Sequence, residues 1–508
     1  MSVLGRVRQR APFVTVPRLL LVAMVTAWTT YFSLRSIDIH RGLGTSAYDV
    51  GLYDQGLWLL SRGRAPFVTL MGRNLFGDHA SFVLLLVVPL YWVWPSVSTL
   101  LVLQSLVVAL GSVPVFLVAR KFLHSEVLAL VMAACFLLHP AVGWTNLENY
   151  HPDSFLAFFV GMAIFAALDR RWRLYTVFVV LALMVKEDVL LVVVPLGVWV
   201  ALNRQRRIGL ATIVGAFASA AFATLVVMRN LIGVPTRNGW RIPFGGVRNL
   251  VVEMVERPGN VLEHLRSEAR PFYLWQMLFP VAFVLARFPW VAAISAVVLF
   301  TNVLSTYWYQ FHLEYHYSFI AVPAIVIGTV LAISRVGERH QRRLVALVAT
   351  TSVWACLMWG AVPLGRLVMP TSDDPIGRDP APTWPADHPI AVDARELMAR
   401  IPDDAPVSVL HSLAPHLTHR TLVYQFPTPF RVVLYGVDTT LEDRRACLPT
   451  ADRIEYVMLP RSVDDQTLAD WAVVSSDFEL EAENDGFWLY HRRSHDIRCE
   501  GGILTARP

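Results

Sequence analysis

Residues 174–202 read LYTVFVVLALMVKEDVLLVVVPLGVWVAL, an apolar stretch whose charges are confined to Lys186, Glu187 and Asp188 near its middle. Arg170, Arg171 and Arg173 precede it, and Arg204, Arg206 and Arg207 follow it. One continuous helix would place these two basic clusters on opposite sides of a membrane, whereas Lys and Arg accumulate in cytoplasmic loops. A helical hairpin keeps both clusters inside and sets the charged triplet at its tip. Each arm holds about 14 residues and reaches ~21 Å at ~1.5 Å per residue, short of the ~30 Å hydrocarbon core. The tip is therefore expected below the outer surface, in a polar site walled by protein. Charges at that depth are costly and mark a functional site by default.

Composition agrees with a membrane protein. Of 508 residues, 55% are hydrophobic and 16% charged, outside the usual range for soluble domains. The net charge of +5 averages two unlike parts: residues 1–365 hold 30 basic and 16 acidic residues, and residues 366–508 hold 14 Arg, no Lys and 23 acidic residues. The basic residues sit in short clusters between apolar runs, which excludes a nucleic-acid surface. The run Leu19 to Phe32 follows Arg6, Arg8, Arg10 and Arg18. It lacks a small-residue cleavage site and precedes further spans, so it reads as a retained signal anchor.

Candidate spans cover 18–35, 98–119, 125–142, 154–168, 174–186, 188–202, 208–228, 271–287, 289–305, 316–334 and 344–363, about eleven transmembrane helices at about 20 residues per full crossing. A cytoplasmic N-terminus puts Arg120-Lys121, Arg287 and the cluster Arg335/Arg339/Arg342/Arg343 inside. The run Ala80 to Trp94 is short, contains Pro89 and ends in Trp92 and Trp94. It is expected to lie on the outer leaflet rather than to cross, bordering the path of an arriving lipid. The resulting division is a polytopic domain 1–365 with a large outer loop 36–97, a Pro- and Asp-rich linker 366–389, and an extracytoplasmic α/β domain 390–508. In that tail, 407–411 and 456–459 read as strands and 391–401 as a helix. Cys135 and Cys356 fall in apolar spans and read as packing residues. Cys447 and Cys499 share the tail, where an oxidising exterior permits a disulfide.

Polar groups collect on the outer side. Asp49 and Asp54 lie in the first loop, followed by Asp78 and His79. Glu148, His151 and Asp153 follow the third span, and Lys186, Glu187 and Asp188 form the hairpin tip. His312, Glu314, His316 and Tyr317 lie in an aromatic-rich loop. Each group has a plain structural reading: Asp78 and Asp153 suit helix N-caps, and Tyr and Trp anchor at membrane interfaces. Their joint placement on one face points instead to a site. The carboxylates and imidazoles suit a loosely held Mg or Mn ion better than zinc, for which no tight ligand spacing such as His-x-x-x-His is present. No P-loop, dinucleotide fingerprint or serine-nucleophile elbow occurs, so a donor substrate is expected from within the membrane.

The motifs YDVGLYDQGLW (48–58), GDHASF (77–82), NYHPDSF (149–155), LMVKEDVLL (183–191) and LAPHLTHR (413–420) together resemble a bacterial family of polytopic membrane proteins known mainly as a domain of unknown function. That family is more distantly similar to the GT-C superfamily of membrane glycosyltransferases. The resemblance implies a catalytic acid in the first outer loop, a polyprenyl-phosphate-linked sugar donor and a Lys contacting the donor phosphate. Asp49 matches the loop acid best, Asp54 second, and Lys186 the phosphate contact. Asp78, His79, Glu148, His151, Asp153, Glu187, Asp188, His316 and Tyr317 are the remaining candidate substrate-binding residues. Where many GT-C enzymes carry adjacent acids, this chain has Tyr48-Asp49-Val50. The leading expectation is transfer of a sugar to an envelope glycan, lipid or protein at the outer face of the cell membrane, with the segment 415–420 helping to bind the acceptor. The alternatives are a lipid or glycolipid transporter or flippase, and a non-catalytic envelope protein.

Overall fold

The computed structural model describes residues 15–232, 239–361, 384–433 and 446–506. Arg6, Arg8, Arg10 and most of the 366–389 linker lie outside the described residues. Four helices are long and apolar enough to cross a membrane: Val16–Arg41, Val97–Leu123, Arg206–Leu231 and His316–Ile333. The apolar pair Glu126–Leu137 and Pro140–Leu147 is bent by 50° where Pro140 cannot continue the ladder of the preceding helix; as one unit it is long enough for a fifth crossing. Shorter apolar helices span Pro152–Leu168, Trp172–Leu183 and Ala292–Leu304. Burial separates centre from rim. In the hydropathy windows of the His316–Ile333 and Val97–Leu123 helices 89% and 67% of residues are buried, against 22% and 17% for Val16–Arg41 and Arg206–Leu231, which present their apolar sides outward.

The expected hairpin is present. Trp172–Leu183 and Leu190–Asn203 form its arms, with Lys186 in extended backbone between them. The second arm lies against Arg206–Leu231 at backbone distance: a Cβ on Gly209 would fall 2.3 Å from the Ala201 nitrogen. Only small residues allow two helices this close. The run 80–94 forms two short helical pieces, Phe82–Leu86 and Val88–Val93, neither long enough to cross.

The stretches read as spans 271–287 and 289–305 are interrupted. Arg270–Leu278 gives way at Pro280 to tight turns with Ala282 and Phe283 in left-handed backbone, and a regular helix resumes only at Ala296–Leu304. Pro280 and Pro289 each remove a backbone donor.

The tail carries a five-stranded sheet of β1 (Val407–Val409), β2 (Val423–Gln425), β3 (Tyr456–Pro460), β4 (Phe478–Glu483) and β5 (Phe487–Arg492), in the order β2-β1-β3-β5-β4. The β1 strand pairs in parallel with β2 and β3, while β5 is antiparallel to β3 and β4. The helix Pro389–Met398 packs on the sheet through buried Ala391, Ala394 and Leu397. Cys447 and Cys499 form a disulfide. One apolar core is shared by the first loop (Ala47, Val50, Leu57) and the tail (Leu413, Ala414, Val423), so the sheet sits directly on the loop.

Candidate functional site under the first loop

The first loop begins with a wide helical turn, Ala47–Gly51, capped by the Ser46 hydroxyl, which accepts from the Tyr48 amide at 3.1 Å. The Ser46 amide donates to Asn149 Oδ1 at 3.0 Å and ties the turn to the 148–153 loop. Asp49 thereby reaches His151, with Oδ1 3.3 Å from Nε2. The His151 ring stacks on His316 at 3.8 Å between centroids. His316 in turn donates its backbone N–H to Glu148 at 2.5 Å and holds Nδ1 3.1 Å from both carboxylate oxygens. Burial raises the Asp49 carboxyl, but the hydrogen bond and charge of His151, the charge of His316 and the Ser46 hydroxyl outweigh it, leaving the group below its ordinary value and ionised.

Gln104, fully buried inside the Val97–Leu123 helix, holds the 148–153 loop from below. Its amide donates to the carbonyls of Thr145, Asn146 and Asn149, and its oxygen accepts from the His151 amide at 2.9 Å. A primary amide in an apolar span needs all its partners from protein, and here they are the backbone of the site loop and of the end of the helix Pro140–Leu147 that leads into it.

Lys186 lies beside these groups. Its ammonium is 3.9 Å from Asp153 and 3.8 Å from Asp188, and 5.7 Å from the centre of the Tyr317 ring. The side chain is 7% exposed, as the short hairpin arms require. The tip is fastened to the first loop: His79 Nδ1 lies 2.7 Å from Glu187, the Ala80 amide donates to the same carboxylate, and the Val83 amide donates to the Met184 carbonyl. Burial and Lys186 lower the His79 pKa, but Glu187 and Asp78 more than offset them, so the imidazole titrates above its ordinary value. Asp78 pairs with Arg73 at 3.2 Å. Neither Asp78 nor Asp153 is the N-cap of the helix that follows: Ser81 and His151 hold those positions, and Asp78 ends the short helix Leu75–Asp78.

Asp49, Asp78, His79, Glu148, His151, Asp153, Lys186, Glu187, Asp188, His316 and Tyr317 therefore form one connected group. Tyr53 sits among them, its phenol raised well above its ordinary value chiefly by burial, with Asp153, Asp78 and Asp49 adding to the shift and Lys186 opposing it. Two members lacked a sequence signal. Tyr53 resembled any loop aromatic. Arg241 stands in a loop of no recognisable pattern, yet its guanidinium lies 4.1 Å over the Tyr307 ring and 5.8 Å from Tyr317. Lys186 and Arg241 thus flank one aromatic ring. Gln104 did carry a signal, being polar within an apolar run.

Asp54 is placed elsewhere. It is fully buried, accepts from the Tyr91 hydroxyl at 2.5 Å and from the Thr418 hydroxyl, and lies 3.0 Å from His419 Nε2. The neighbouring Gln55 and Thr69 bond each other and the backbone of 420–423. In the segment expected to help bind an acceptor, 415–420, Thr418 ties the tail to Asp54, and Arg420 donates to the carbonyls of Leu417, Pro402 and Ala405 within the tail. Asp54→Asn is accordingly expected to destabilise tail docking by about 1–3 kcal/mol, because one carboxylate oxygen becomes an amide facing donors. Asp54 also raises the His419 pKa against burial. A raised folded value stabilises below the ordinary imidazole pKa and is lost as pH climbs through the folded value. Thermal unfolding of the wild type should therefore fall between pH 6 and pH 8, and Asp54→Asn should flatten that slope.

Glu148, His151 and His316 offer one ligand atom each, all within 4.8 Å of one another, and His151 Nδ1 is buried without a hydrogen-bond partner. Two imidazoles and a carboxylate suit a divalent transition ion.

No curated protein matches the chain. Two structures of ArnT from Cupriavidus metallidurans share its architecture. The one bound to undecaprenyl phosphate is 12% identical with a TM-score of 0.53, covering 92% of this chain and 97% of that one. The apo form is 13% identical with a TM-score of 0.50, covering 92% and 98%. At these identities the likeness concerns the fold alone. The family model described as "Predicted membrane protein (DUF2079)" matches residues 39–488, and the chain belongs to that family.

Proposed function

We propose that this protein transfers a sugar from a polyprenyl-phosphate donor to an envelope acceptor at the extracytoplasmic face of the membrane. The observation that carries the reading is the convergence of a first-loop carboxylate, Asp49, with a buried cation, Lys186, beneath one loop of a GT-C-type fold. An ArnT structure holds undecaprenyl phosphate, a ligand of the same class as the proposed donor. Asp49 takes the proton of the acceptor hydroxyl as its oxygen attacks the anomeric carbon. The bond from that carbon to the phosphate oxygen breaks, and the bonding pair leaves with the polyprenyl phosphate. Lys186 and Arg241 offset the charge of that leaving group where little water competes.

Glu148, His151 and His316 would hold a divalent ion if one is resident, and it would supply positive charge beside the donor. Elemental analysis of protein purified without chelator should then find about one equivalent per chain, lost in His316→Ala; wild-type protein free of metal would remove the ion from the proposal.

The test of the reading is transfer of labelled sugar from polyprenyl-phosphate donors by purified protein in detergent or nanodiscs. Orientation is tested separately. Alkaline phosphatase fused after Arg120 should be inactive, and fused after Pro370 active. Activity after Arg120 would mean that 80–94 crosses the membrane and that the proposed site faces the wrong side.

A further inference from the structure

A cavity of about 540 Å³ opens at the end of the bundle away from the Asp49–Lys186 group. Lys186 and Arg204 bracket the helix Leu190–Asn203, and His316 and Arg335 bracket the helical segment ending at Ile333. The cavity thus lies one helix length, roughly 20 Å at ~1.5 Å per residue, from the acid–histidine group. Its polar lining includes Arg204, Arg335 and Ser334, and its apolar lining Trp199, Phe288 and Leu331. The Arg335 guanidinium lies 4.2 Å over the Phe288 ring, and that of Arg204 5.4 Å from Trp199. Nε of Arg204 is buried with no hydrogen-bond partner. Among the described residues, the charged groups that act on Arg204 are Arg170 and Arg335, both of its own sign. Two like charges drawn together at a concave, half-apolar surface are complementary to an anion that carries hydrocarbon.

We propose that this cavity binds an anionic phospholipid, its phosphate between Arg204 and Arg335 and an acyl chain along Trp199, Phe288 and Leu331. Trp290, also in the lining, is 61% exposed, and Leu202, two positions before Arg204 in sequence, is 79% exposed. Exposed Trp and Leu next to guanidinium groups are the composition of a membrane interface, and basic pockets between transmembrane helices bind anionic headgroups. On the orientation proposed above, the leaflet is the cytoplasmic one. The site is independent of the transferase reading, since none of these residues belongs to the Asp49–Lys186 group.

Native mass spectrometry of the delipidated full chain should show dioleoyl phosphatidylglycerol retained in preference to dioleoyl phosphatidylcholine, whose chains are the same. The double variant Arg204→Gln/Arg335→Gln should weaken phosphatidylglycerol binding about 10- to 30-fold and erase the preference. Arg335→Gln alone, at an exposed position, should give an intermediate loss and decides the matter if the double variant does not fold. Equal retention of the two lipids, or an undiminished preference in the folded variants, overturns the proposal. Displacement of the lipid by millimolar inorganic phosphate would assign the pocket to a soluble phosphate and overturn it too.

Discussion

Asp49→Asn is expected to lower sugar transfer by about 100-fold or more, with a modest fall in the thermal unfolding midpoint from the lost pairing with His151. The substitution keeps the shape of the side chain and removes its capacity to take a proton. Asp49 is 36% exposed, in contrast to the 8% of its partner His151, so the amide of the variant is not stranded in an apolar wall. The contrast is Asp54→Asn, whose effect should appear in tail stability and its pH slope. Five residues apart, these two carboxylates make separable predictions. Transfer at the wild-type rate in folded Asp49→Asn would take the first loop out of the chemistry, whatever the fate of Asp54.

That separation shows what sequence could and could not convey. Asp49 and Asp54 share one motif, and nothing in the order of residues tells them apart. The structure does so by geometry. Asp49 lies in the wide turn Ala47–Gly51 and Asp54 in the α-helix Leu52–Ser61 that follows it, and the winding between them sends one carboxylate to His151 and the other to Thr418 and His419 of the tail. The Lys186 tip was legible because length alone decided it: two arms too short for the bilayer must leave their charges buried. Strands β1 and β3 were legible from runs of Val, Met and Leu between turn residues. The interruptions at Pro280 and Pro289 were not, because hydropathy sums composition over a window and is blind to a broken hydrogen-bond ladder. The docking of 415–423 on the first loop joins residues about 360 positions apart in sequence, and no local pattern announces such a contact.

Lys186→Met is expected to reduce kcat/KM for the polyprenyl-phosphate donor by about 100-fold, the loss typical of removing one preorganised charge-stabilising group. The single variant mixes two effects. Lys186 is the cation beside Asp153, whose side chain is 12% exposed, and breaking a buried ion pair from one side costs about 3–5 kcal/mol. Lys186→Met/Asp153→Asn removes both charges and should recover most of the unfolding midpoint without recovering donor use. Lys186→Arg retains the charge and should recover part of the donor use. Arg241→Gln, whose guanidinium rests on Tyr307 at the edge of the same group, should weaken donor use by a smaller factor at little cost in stability. Folded Lys186→Met/Asp153→Asn with wild-type kcat/KM for donor would reduce Lys186 to a counter-ion for Asp153. The phosphate contact would then have to be sought at Arg241.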